Sequence, residues 1–276
     1  MLESLHYRAS GGQPAVTADL RLTADGTATL FLGTSWSLPP TVLDRVGTFG
    51  GRLDGGEWND LEHIVAESRL LDAQVDADVT SPDPSVRVLT LSHSQGETQL
   101  KVTGTDPRTA AIEERLMEVM RGLVAASPRS ALSGSVAFEV SDGTVSPEVT
   151  LQHQGTERLP VLLFDEGDPS YFVRLTFVFE REVGTGSGES IWLPVGSETV
   201  TRDEVARLVA DGVLPAGAHD MAPRSSYVLS LEPLKIPAAE DPLAIRTRIE
   251  LWFVGEGKAR RKVTIELERT RLAAQP

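Results

Sequence analysis

The sequence predicts an α+β N-terminal domain of antiparallel strands and two helices, followed by a mainly-β sandwich domain with one inserted helix. Three observations predict it. Apolar residues in the first half alternate between a period of two and a period of about 3.6. Helical periodicity stops at "AASPRSALSG", residues 125–134, and strand periodicity takes over. The 276 residues, at roughly 100–200 per domain, suffice for two cores. The expected domains are residues 1–127 and 128–276.

The first half reads strand, strand, helix, strand, strand, helix. "AVTADLRLTADGTATLFLG" places Val16, Ala18, Leu20 and Leu22 on one face, turns at Asp25-Gly26 and alternates again. "DGGEWNDLEHIVAESRLL" has Trp58, Leu61, Ile64, Val65 and Leu71 at helical spacing, opened by Gly55-Gly56. "SVRVLTLSHSQGETQLKVTG" is a second hairpin, expected to turn at Gln95-Gly96. "DPRTAAIEERLMEVMRGLVAAS" is the clearest helix. Asp106 caps it, Pro107 takes its first position, and Ile112, Leu116, Val119, Met120 and Leu123 form the stripe.

The second half is nearly all strand. "YFVRLTFVFERE" aligns Val173, Leu175, Phe177 and Phe179, "LAIRTRIELWFV" aligns Ile245, Ile249, Leu251 and Phe253, and "KVTIELER" aligns Val263, Ile265 and Leu267. One helix interrupts, "TRDEVARLVADG", with a Thr201/Glu204 capping box and Gly212 to end it.

Composition bounds the function. The formal net charge is −14, so the chain repels phosphate backbones and anionic bilayers, and neither nucleic acid nor membrane is an expected partner. The absence of cysteine removes disulfides, thiolate chemistry and cysteine-ligated metals, and fits a reducing compartment. "MLESLHYRASGG" carries no apolar signal core, and no run approaches the ~18 apolar residues of a membrane helix. A bacterial-type, soluble, cytoplasmic protein is expected. Exposed strand edges permit a homo-oligomer without requiring one. Charge is uneven: from Arg246 to Arg271 there are eight basic residues and four acidic ones.

"GTGSGES", residues 184–190, looks like a phosphate loop and fails the test. Glu189 stands where a P-loop needs lysine, Val183 stands where it needs glycine, and the stretch links two strands rather than a strand and a helix. Its glycines serve a hairpin loop. His63 and Glu67 share a helix face near Glu57 and Glu62 but lack a second histidine. Asp72, Asp76, Asp78 and Asp83 lack the glycine and glutamate of a calcium loop. His219, Asp220, Ser225 and Ser226 hold the parts of a hydrolytic triad without a G-x-S-x-G elbow. His6, His93 and His153 are scattered. No catalytic residue, metal ligand or cofactor is therefore assigned.

What remains are contact candidates. Trp36 and Leu38 lie in the loop-like "GTSWSLPP", Gly186 and Gly188 in the glycine loop, and Lys258, Arg260 and Arg261 at the "GKARRK" hairpin tip. Trp252 alternates outward between Leu251 and Phe253, into a binding patch or under another domain. The leading expectation is a non-enzymatic adaptor or inhibitor that binds another protein. The alternatives are a hydrolase or metal-dependent enzyme using His219–Ser226 or His63/Glu67, and a sandwich that binds a glycan or peptide through Trp252.

The first 125 or so residues resemble the emfourin-type family of small bacterial proteins associated with inhibition of thermolysin-like metalloproteases. The resemblance rests on "LHYRASGG" as first strand, "EWNDLEHIVAESRLL" as first helix, the hairpin "VRVLTLSHSQGETQLKVTG" and the closing helix "AAIEERLMEVMRGLV". It implies protein binding without catalysis, with a protease as partner, and assigns no inhibitory residue. The inserted "GTSWSLPPTVLDRVGTFGGRL" and the second half depart from it. The second half resembles immunoglobulin-like sandwiches in architecture alone, which implies no activity.

Overall fold

The computed structural model describes residues 1–11, 17–35, 43–72, 86–103, 106–126, 128–184, 190–237, 243–255, 257 and 259–272. They form a mostly β protein of antiparallel sheets with a minority of helix. Two compact units emerge, Met1–Ala131 and Leu132–Pro276. No helix among the described residues is long and apolar enough to cross a membrane.

In the first unit, β1 (Leu2–Ser10), β2 (Ala18–Thr23), β3 (Thr27–Leu32), β4 (Arg45–Arg52), β5 (Val86–His93) and β6 (Gly96–Thr103) pair antiparallel in the order β4-β3-β2-β1-β5-β6. Helices α1 (Gly55–Glu67) and α2 (Pro107–Ala125) share a core with one face of this sheet. Alternation decides that face: Leu5, Leu20, Leu22, Leu30, Phe49, Leu91 and Leu100 point inward and are buried with Leu61, Ile112 and Leu116. Both helices start where expected. Asp54 accepts the Glu57 N–H at 2.8 Å while Glu57 accepts the Asp54 N–H at 2.9 Å, a capping box of about 1 kcal/mol. Asp106 accepts the Arg108 N–H at 2.9 Å, and Pro107 opens α2.

Among the described residues four strands precede α1: β1 in "LHYRASGG", the hairpin strands β2 and β3, and β4. The fourth, β4, holds three glycines in "RVGTFGGR". They are there because close neighbours leave no room for a Cβ. One built on Gly47 would sit 2.2 Å from the Ser130 carbonyl, on Gly50 2.5 Å from Arg129 Nε, and on Gly51 2.7 Å from a Leu123 methyl. The β5–β6 hairpin turns one residue earlier than expected, at Ser94-Gln95, and Gly96 pairs with His93 at φ +140°.

The second unit holds β8 (Thr144–His153) between β7 (Ser130–Ser141) and β13 (Ser226–Ser230), with β14 (Leu234–Lys235) also on β8. The β7–β8 turn uses Asp142 and Gly143, both at positive φ, as a two-residue hairpin requires. A second sheet runs β11 (Ser190–Thr199), β10 (Arg174–Gly184), β15 (Leu243–Val254), β9 (Leu159–Leu162), β12 (Ala218–Met221). Strands β16 (Arg260–Glu266) and β17 (Thr270–Arg271) also pair with β15. The inner faces of the two sheets meet: Phe138 packs edge-on to Phe177 at 6.1 Å, and Gly134 faces Ile249 and Ile265. Leu175, Phe177, Phe179, Ile245, Ile249, Leu251, Val263 and Ile265 are all fully buried, each adding about 1.5–3 kcal/mol. Helix α3 (Arg202–Ala210) carries the Thr201/Glu204 capping box, and Gly212 follows it at φ +74°.

Candidate functional site

Strands β10 and β11 form a hairpin at one edge of the second sheet. Its closing pair is Gly184 with Ser190. The glycine-rich stretch thus joins two antiparallel strands, and no helix follows it to present N–H groups to a phosphate. The Ser190 hydroxyl donates to the Glu182 carboxylate at 2.6 Å instead. Gly186 and Gly188 lie outside the described residues.

Strand β11 is paired on one side by β10 and carries three exposed apolar side chains, Ile191 (47 %), Leu193 (42 %) and Val195 (37 %). Among the described residues, half of the large exposed hydrophobics sit on this one strand. Pro194 and a register shift opposite Phe179/Glu180 break the strand, as edges do that resist uncontrolled pairing. The sequence shows the alternation Ile191/Leu193/Val195, but not that the strand is an edge.

On the other face of the hairpin stands Trp192, half-buried, with the guanidinium of Arg269 4.8 Å and that of Arg271 5.4 Å from its ring centre. The same face continues across β10, β15 and β16 as a ladder of ion pairs. Arg246 and Arg269 reach Glu180 at 3.1 and 2.5 Å, Arg248 reaches Glu266 at 2.6 Å, Lys262 reaches Glu250 at 2.7 Å, and Arg271 reaches Glu182 at 3.1 Å.

Trp252 alternates away from Leu251 and Phe253 and is only 9 % exposed, because Tyr171 packs edge-on against it at 5.3 Å. Arg260 does not stand free at the hairpin tip either. Its guanidinium lies 4.0 Å from the centre of the Tyr171 ring and donates to Asp165 at 2.8 Å, so it clamps the 165–171 segment over Trp252. Arg261 is exposed. Trp36, Leu38 and Lys258 lie outside the described residues, as do Asp76, Asp78 and Asp83.

The catalytic alternatives lack assembly. His63 pairs with Glu67 at 3.2 Å on an exposed helix face, and no group of three metal-type side chains converges among the described residues. His219 packs edge-on near Tyr227 at 6.3 Å, Asp220 faces Arg158 at 3.9 Å, and the Ser225 hydroxyl donates to the Ala222 carbonyl at 2.7 Å. Among the described residues no hydrogen bond links His219 to Asp220, Ser225 or Ser226. His153, in contrast, is fully buried with Nδ1 2.9 Å from the Ala222 carbonyl. In the first unit His6 pairs with Asp19 at 2.9 Å.

No family model matches this chain, and no curated protein matches it.

Proposed function

We propose that this chain is a non-enzymatic protein–protein interaction module, an adaptor or inhibitor, acting as a soluble cytoplasmic protein. In this reading the α+β domain and an immunoglobulin-like sandwich divide near residue 127. The observation that carries it is the apolar stripe Ile191, Leu193 and Val195 on an edge strand. Exposed aliphatic side chains in alternation are costly to solubility, and burial against a partner recovers about 25 cal/mol for each Å² removed from water. The occupant is a folded protein with an apolar ridge. The emfourin-type resemblance of the first 125 or so residues points to the same class and names a metalloprotease as the kind of partner.

Affinity capture from native lysate, at low and high salt and read by mass spectrometry, tests it with wild type beside Leu193→Ser. The expected result is one dominant protein, held by wild type at both salts and lost from the variant. Equal recovery by both proteins, or recovery of nothing by either, overturns the reading.

A further inference from the structure

The outer face of the second sheet inverts the charge character of the chain. Its carboxylates lie underneath and its cations lie on top. Glu180 is 3 % exposed beneath Arg246 at 45 %, Glu266 11 % beneath Arg248 at 44 %, Glu250 18 % beneath Lys262 at 48 %, and Glu182 20 % beneath Arg271 at 67 %. The registers place these residues on one face, because Val178 pairs with Arg246, Glu250 with Thr264, and Ala244 with Arg271. Arg174, exposed and 5.2 Å from the Phe172 ring centre, extends the band along β10. Each guanidinium meets the carboxylate below through one nitrogen, and a guanidinium carries five N–H groups. Solvent therefore meets a donor-rich cationic layer on a protein of net charge −14.

We propose that this face docks an extended acidic segment of a partner protein. The inference rests on the interaction reading above and adds the partner's chemistry. Charge complementarity selects the sign. Spacing selects the form: Arg246 and Arg248 stand two residues apart on β15, about 6.6 Å, which matches carboxylates at every second residue of an extended chain. A single-stranded nucleic acid is the poorer fit, since it asks for aromatic rings on which bases stack. Here Trp192 is engaged by Arg269 and Arg271, Phe172 by Arg174 and Arg202, and Tyr171 by Arg260. A dense polyanion also meets the repulsion of the whole chain, whereas a short acidic segment within a Debye length of about 8–10 Å feels mainly this face.

The test is fluorescence anisotropy on the full chain. The probe is a labelled peptide of alternating glutamate and threonine, about ten residues long. The same peptide with lysine for glutamate and a single-stranded oligothymidylate are run beside it. The variants are Arg248→Gln/Lys262→Gln and, separately, Arg271→Gln, with Arg108→Gln in the first unit as a control and thermal melts to verify folding. The expected result is binding of the glutamate peptide alone, weakened by salt and weakened about tenfold by the double variant, as for rim charges acting together. No binding at low salt, or binding indifferent to both variants, overturns the proposal. Oligothymidylate binding as tight as the peptide overturns the assignment to a polypeptide. Leu193→Ser separates the two readings. If it abolishes partner capture while the acidic peptide fails to bind wild type, this inference falls and the interaction reading stands.

Discussion

Arg269 Nε donates to the Glu180 carboxylate at 2.5 Å, across 89 residues of sequence. The other oxygen of Glu180 faces Arg246 at 3.1 Å, so one buried carboxylate anchors β10, β15 and the segment before β17. Glu180→Gln keeps the shape and removes the charge. The two guanidiniums are a third to a half exposed and can rehydrate, which moderates the penalty. We expect a loss of about 2 kcal/mol by urea unfolding, from one charge-assisted hydrogen bond, to Arg269, and one ion pair, with Arg246. Glu182→Gln, whose partner Arg271 is largely exposed, should cost less than about 1 kcal/mol. Equal costs would refute the anchoring role.

Tyr7 predicts alkaline sensitivity. Burial first, and the nearby Glu113 charge second, push its phenol from 10.0 up to about 12, with Arg87 pulling the other way. Between those values the unfolded chain releases the proton while the folded one keeps it. Stability from this group is whole below pH 10 and falls as pH rises toward about 12, by roughly 2–3 kcal/mol in all. Tyr7→Phe should remove that part of the alkaline decline. An unfolding midpoint that falls equally in both proteins between pH 10 and 12 would contradict the assignment.

Two glycines should respond oppositely to alanine. Gly47 sits at φ +144° with the Ser130 carbonyl where a Cβ would be, so Gly47→Ala should cost more than about 2 kcal/mol. Gly122 is exposed inside α2 with open space around it, and Gly122→Ala should stabilise by about 0.5–1 kcal/mol. Thermal or urea unfolding of the two variants decides both signs.

His153 should be the Nδ1–H tautomer. A carbonyl oxygen only accepts, so the contact with Ala222 requires a proton on Nδ1, and in the neutral ring Nε2 is then the bare nitrogen, which is buried without a partner. Long-range proton–nitrogen NMR reads the tautomer directly. A proton found on Nε2 alone would mean that the Ala222 hydrogen bond is not formed.

The sequence by itself determined the helices and their caps, because Asp54, Asp106 and Thr201 act on N–H groups two or three residues away. It also determined which faces of β10, β15 and β16 are buried, since a period of two needs no knowledge of the partner strand. Tertiary structure alone decided the rest. β4 is a strand because residues far along the chain crowd Gly47, Gly50 and Gly51. Trp252 is covered because Arg260 and Asp165 hold Tyr171 in place. Ile191, Leu193 and Val195 are exposed because β11 ends its sheet, and the cations outside Glu180, Glu182, Glu250 and Glu266 form a layer only once β10, β15, β16 and β17 are in register. Those outcomes depend on which strands become neighbours, and neighbours in a sheet are chosen by long-range packing that local periodicity does not encode.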